Sequence, residues 1–218
     1  SRLPSSVVRR LSSIVHPTQS AARVMSTIAF ILSHTPQAVL MAGLFALGGA
    51  AAGAALRWRI EALLAMPRVF ARALGRLFNS RLAWPLLALA IFLFNGAAVF
   101  LYMLSGLIPW GVHAVAILTG LNVVAGGILA REIVPTPPAP PSPLAQFCVG
   151  ATFLLELPCF WYSLAMGATL ETSGTAGLGA RIEAYLAVVL PLLALSALAE
   201  GYAVSRALPP RDVNGTPP

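Results

Sequence analysis

The sequence contains no lysine, few acids and almost no cysteine, and each shortage removes a class of protein. Charged residues make up 10% of its 218 positions, against roughly 25% in a soluble domain. That leaves too little polar surface to coat a water-soluble globule. All 14 basic residues are Arg, which speaks of codon usage in a GC-rich genome and says almost nothing about mechanism. The two cysteines, Cys148 and Cys159, lie inside one apolar run, with neither the context nor the spacing of a metal site or a disulfide framework. No HExxH motif, no Gly-rich phosphate loop closing on Lys-Ser/Thr and no plausible Ser/His/Asp set occurs. The polar loops are too short to house a separate catalytic domain, so an enzyme is not expected.

What is present is hydrocarbon. Hydrophobic residues reach 58% and the mean hydropathy is +0.82; at this length one membrane domain is the simplest count. A bilayer core of about 30 Å takes about 20 apolar residues in helical form. Backbone polar groups cannot stay unpaired in hydrocarbon, so each such run must be a helix. Five runs qualify, at 36–56, 84–104, 110–130, 144–169 and 182–204. The expected fold is all-α: a polytopic helical membrane protein with about five transmembrane helices and one or two interfacial amphipathic helices. A net charge of +7 would suit nucleic acid, but the Arg residues gather at the ends of apolar runs. Membrane topology accounts for them better, and no nucleic-acid partner is expected.

The polar stretches divide the chain. Residues 1–35 form an N-terminal segment, rich in Ser and Arg up to residue 26, and no acid precedes Glu61. It resembles an organellar transit peptide or a surface helix with Val7, Leu11, Ile14 and Val15 on one face. The surface helix is preferred, and with it a bacterial inner membrane over an organellar one. In 57–81, Arg68, Arg72 and Arg76 recur every four residues, while Phe70, Leu74, Leu77 and Phe78 cover other faces. Either this is an interfacial helix with its guanidinium groups near anionic lipid headgroups, or it is a cytoplasmic loop that fixes topology. A Pro-rich linker at 135–143 is expected to be extended and semi-rigid. It separates a three-helix portion, 36–134, from a two-helix hairpin, 144–206, and 207–218 reads as a disordered tail. About nine Arg fall on the side of 57–81 and about five on the other, which favours an outside N-terminus.

Ionisable groups inside apolar helices are expensive, and they are candidates for function. Glu156 lies in the middle of the fourth run, with Thr152, Cys159 and Ser163 at i, i+4, i+7 and i+11 spacing along one helix face. Pro158 frees the carbonyl near residue 154 and should bend the helix. The carboxyl reads as a proton- or ion-handling group, or as a neutral Glu hydrogen-bonded to a neighbouring helix. Glu200 closes the fifth run near the interface, where it can snorkel or pair with Arg206. Asn95 is mid-span in the second run, and Asn122 is mid-span in the third, beside Thr119 and Gly126. Such amides hold helices together for about 1 kcal/mol or less. Gly49 and Gly53 form a GxxxG pattern suited to close helix packing, within the chain or against a partner. His113 opens the third run; a lone His can ligate haem or a chlorophyll magnesium, but nothing else supports a cofactor or a metal, and an interfacial His is the plainer reading.

Four stretches, in order, resemble the stage II sporulation protein M family of membrane proteins. They are Leu77-Phe78-Asn79-Ser80-Arg81-Leu82, Phe94-Asn95-Gly96, Leu155-Glu156-Leu157-Pro158, and Leu190-Pro191-Leu192-Leu193 through Leu198-Ala199-Glu200-Gly201-Tyr202. The resemblance covers 77–202. Where the family usually has Pro-His-Gly ahead of Glu-Leu-Pro, this chain has Ala151, Thr152 and Phe153. The resemblance implies a polytopic membrane architecture and a tendency to assemble with other membrane proteins, since the named member scaffolds a complex. The leading expectation is therefore a non-catalytic subunit that scaffolds or stabilises a larger membrane complex. A permease component using Glu156 with Asn95 or Asn122, and an accessory subunit of a respiratory or photosynthetic complex using His113, are the alternatives.

Overall fold

The computed structural model describes Ala22 and residues 24–78, 82–130 and 142–207. The expected surface face of Val7, Leu11, Ile14 and Val15, most of the Pro-rich linker and the tail from 208 onward lie outside the described residues. All regular elements among the described residues are helical. A short apolar helix, α1 (Val24–Ser33), is followed by α2 (Thr35–Trp58), α3 (Glu61–Phe78), α4 (Trp84–Leu104), α5 (Gly111–Ala130) and α6 (Pro143–Ser173). The last segment is α7 (Leu178–Ala184), a π-helical turn (Tyr185–Val189) and α8 (Leu190–Ala207). Five stretches are long and apolar enough to span a bilayer: Thr35–Trp58, Trp84–Leu107, Gly111–Leu129, Pro143–Ser173 and Leu178–Arg206.

Proline marks where three of the spans begin. Pro stands in the first turn of α2, α4 and α6, where its missing N–H has no helical partner to lose and its fixed φ suits a helix. Ser142 caps α6, accepting the Ala145 N–H at 3.2 Å. The linker expected at 135–143 thus loses its last two residues to the helix start. Arg59 ends α2 in the left-handed region, at φ 50°. The Ile60 N–H then reaches the Ala55 carbonyl at 2.9 Å and the Arg59 N–H the Leu56 carbonyl at 3.4 Å, which is the Schellman arrangement. Trp110, expected to open the third span, is instead a turn residue at φ 61°. Its N–H is held by Glu171 Oε1 at 2.9 Å, and the helix starts at Gly111.

The spans sort into a pair and a trio. α2 packs along α5, with α3 laid against α5, while α8 is wedged between α4 and α6. α4 and α5 hardly touch, although only 105–110 connects them. The two groups meet at Met41, Val112, Ala116 and Leu164. The trio has its own core of Val99, Met103, Cys159, Met166, Tyr185 and Leu193. Lipid tails are as apolar as these side chains, so tight packing and inter-helix hydrogen bonds, rather than expulsion from water, select this arrangement.

Two irregularities shape the trio. α6 runs unbroken through Pro158, whose ring removes the bond that the Leu154 carbonyl would have accepted. In the last span the Leu190 N–H bonds to the Tyr185 carbonyl, five residues back. This wide turn stands just before Pro191, where a regular α-turn would press the ring on the carbonyl four residues earlier.

Candidate functional site

The polar side chains of the trio converge near the middle of the bundle. On α6, Thr152, Cys159 and Ser163 are buried, and the stripe read from their spacing faces the neighbouring helices. Asn95 Nδ2 on α4 donates to Glu156 Oε1 at 2.8 Å. The Ser196 hydroxyl on α8 lies 3.5 Å from both Glu156 Oε2 and the Thr152 carbonyl. One carboxyl therefore ties together all three helices. The Thr152 hydroxyl donates back to the Cys148 carbonyl at 3.0 Å, and the Cys159 thiol points to the Val189 carbonyl at 3.8 Å. Ser163 Oγ, fully buried, has no partner.

Glu200 stands one turn beyond Ser196 on α8, near enough to Glu156 for the two carboxyls to interact electrostatically. The expected Glu200–Arg206 pair does not form among the described residues; Arg206 instead lies over the Tyr202 ring, 5.3 Å from its centroid. No cationic side chain pairs with Glu156 either, since the ion pairs among the described residues are Arg68–Glu61 and His113–Glu171. Asn122 is not brought to this cluster. It sits on α5 with its Oδ1 buried and unpartnered, while Gly126, one turn on, lies beneath the Phe70 ring.

The glycine pattern needs a correction within the chain. A Cβ at Gly53 would meet nothing within 4 Å, and one at Gly49 would meet only Val124. The close approach of α2 and α5 is made at Gly48 and Gly120. A Cβ on Gly48 would overlap the Ile117 carbonyl, and one on Gly120 the Phe45 carbonyl. His113 occupies the first turn of α5, its Nδ1 3.9 Å from Glu171 Oε2 and its ring 5.5 Å from that of Trp110. No group of three His, Cys, Asp or Glu side chains that could hold a metal occurs among the described residues.

α3 carries three distinct faces. Leu64, Pro67 and Ala71 are buried on the side that packs on α5. Leu63, Met66 and Val69 are exposed and apolar, and Phe70 reaches the Phe94 ring of α4 at 6.4 Å. Arg68, Arg72 and Arg76 lie on the third face. Arg68 is hydrogen-bonded to Glu61, while Arg72 and Arg76 are exposed.

Sequence reasoning missed three residues. Tyr185 donates its hydroxyl to the Gly96 carbonyl at 2.7 Å, adding a second α4–α8 tie; a phenol inside an apolar run is the signal that could have found it. Ser196 stands one turn before Glu200, and only its contact with Glu156 across the helices gives it a role. Arg181, at the start of the last span, is almost wholly buried.

Five spans with a polar cluster between them define a polytopic helical membrane protein. No family model, curated protein or solved structure matches the chain.

Proposed function

We propose that the chain is a non-catalytic integral membrane subunit that scaffolds or stabilises a larger membrane complex, as the resemblance to the stage II sporulation protein M family implies. The observation that carries this reading is how Glu156 is used. Its two carboxyl oxygens face Asn95 and Ser196, so an expensive polar group in the spans serves to fix three helices in one arrangement. A rigid trio of this kind suits a platform. The exposed guanidinium groups of Arg72 and Arg76 on α3 then face the headgroup zone, where anionic lipids and a partner's acidic segments are the matching chemistry. Among the described residues, the Arg-rich side carries Arg57, Arg59, Arg68, Arg72, Arg76 and Arg206, which favours that side as cytoplasmic, in a bacterial inner membrane. Purification from native membranes in mild detergent tests the reading: a co-purifying membrane protein is expected, and a lone monomer would end it.

A second reading is favoured by one observation. Glu156 has only neutral hydrogen-bond partners and a second carboxyl nearby, an arrangement that also suits a proton-carrying group in a permease component. Glu156→Gln would then abolish proton-coupled flux in reconstituted vesicles. Unchanged flux would remove this reading and leave the first intact. Nothing in the surroundings of His113 favours a haem- or chlorophyll-bearing accessory subunit over these two.

A further inference from the structure

Arg181 is a buried cation for which the described chain supplies no anion. Only 6% of its surface is exposed, and its donors all go to neutral oxygens. Nε reaches the Met166 carbonyl at 3.0 Å and the Thr169 hydroxyl at 3.2 Å. Nη2 reaches the Thr169 hydroxyl at 2.6 Å and the Ser173 hydroxyl at 3.4 Å. Nη1 reaches only the Ala176 carbonyl, at 3.4 Å. A buried charge is costly unless it is paired. The C-terminal end of α6 contributes a partial negative charge of roughly half a unit, which leaves the guanidinium under-compensated. The nearby carboxylate of Glu171 is taken up by the Trp110 N–H and faces His113. Glu183 is exposed and makes no ion pair.

The geometry around Nη1 differs from that around the other two nitrogens. Nη1 has two N–H groups and one long bond, to the Ala176 carbonyl of the turn at 174–177, so it keeps donor capacity. Residues 171–177 are exposed, with the hydroxyls of Thr172, Ser173 and Thr175 among them. The guanidinium comes close to this turn at Gly177, which has φ 75°; a Cβ there would lie 2.6 Å from Nη1. The turn joins the ends of two spans, the depth at which lipid phosphates lie.

We propose that Arg181 binds the phosphate of a membrane phospholipid headgroup at the 174–177 turn, the headgroup supplying the anion that the chain lacks. This goes beyond the assembly role and does not depend on it. Phosphate is matched to guanidinium by charge and by its acceptor oxygens, and a free phosphate ion would offer the same chemistry. The test is native mass spectrometry of the full chain in mild detergent with phosphatidylglycerol, alone and against millimolar inorganic phosphate. The wild-type protein is expected to retain the lipid, with inorganic phosphate unable to displace it. Arg181→Gln should weaken retention by about tenfold or more. Ser173→Asp, which places a carboxylate beside the guanidinium, should weaken it likewise while raising the melting temperature. Ser173→Asp also decides the matter if Arg181→Gln does not fold. Wild-type retention by either folded variant would overturn the proposal, and displacement by inorganic phosphate would overturn the headgroup in favour of a free anion.

Discussion

The α2/α5 pair and the α4/α6/α8 trio solve one problem by different means. Both must hold helices together where hydrocarbon surrounds them and exclusion from water no longer drives association. The pair does it by shape. Gly48 and Gly120 let each backbone sit against the other's carbonyls, and among the described residues no side-chain hydrogen bond joins the two helices. The trio does it by polarity, with Asn95, Glu156, Ser196 and Tyr185 bonded across its helices. Shape tolerates no added atoms. Polarity loses when a partner is removed.

The sharpest way to break the comparison is to add bulk to the pair. Gly48→Leu should force α2 from α5 and cost about 3 kcal/mol, read as a drop in thermal stability in detergent. Gly53→Leu, five residues along with nothing near its Cβ, should stay within about 0.5 kcal/mol. Equal losses from the two would mean that the close approach at Gly48 is not made.

The next effect belongs to the trio. Glu156→Leu leaves Asn95 without its acceptor and Ser196 with only the Thr152 carbonyl, and should cost about 1–3 kcal/mol. A double-mutant cycle of Asn95→Ala with Glu156→Ala should give a coupling of about 0.6 kcal/mol and no more than about 1.7 kcal/mol. Zero coupling would show that the bond contributes nothing to helix association. Tyr185→Phe keeps the ring and loses only the bond to the Gly96 carbonyl, so a smaller loss of about 1 kcal/mol is expected. A loss as large as that from Glu156→Leu would place the trio's main tie at the π-turn instead.

The smallest effect lies outside the spans. The hydrogen bond from Arg68 holds the Glu61 carboxyl below its usual range. A carboxyl depressed in the folded state adds stability above its ordinary value, and that stability is lost as pH falls through the lowered one. Wild type should therefore slightly outlast Glu61→Gln in melting at pH 7, and the gap should close below about pH 4. A gap that widens in acid would mean that the pair does not form in solution.

The sequence was most legible where one residue type suffices. Apolar runs of span length, the prolines at their starts and the mid-span carboxyl of Glu156 could all be read directly. Faces were harder. The GxxxG pattern points to Gly49 and Gly53, whereas the contact uses Gly48; one residue turns a helix by about 100°, and small or apolar residues surround α2 on every side, so no polar face marks its orientation. Nothing in the sequence marks Arg181, because its burial depends on the turn and helices folded over it. The ties among Asn95, Glu156 and Ser196 join residues 61 and 40 positions apart, a pairing that no local pattern carries.

By itself, then, the sequence determined a helical membrane protein with five helices long and apolar enough to span a bilayer, because charges are few and apolar runs many. It also supplied the chemistry of the cluster, residue by residue. Only the tertiary structure decided that α4 leaves its chain neighbour α5 to join α6 and α8, and that Glu156 lies between Asn95 and Ser196. Apolar helices carry little information about which neighbour they choose. That choice rests on where backbones can approach closely and where buried polar groups can find one another, and both are set only when the helices are packed.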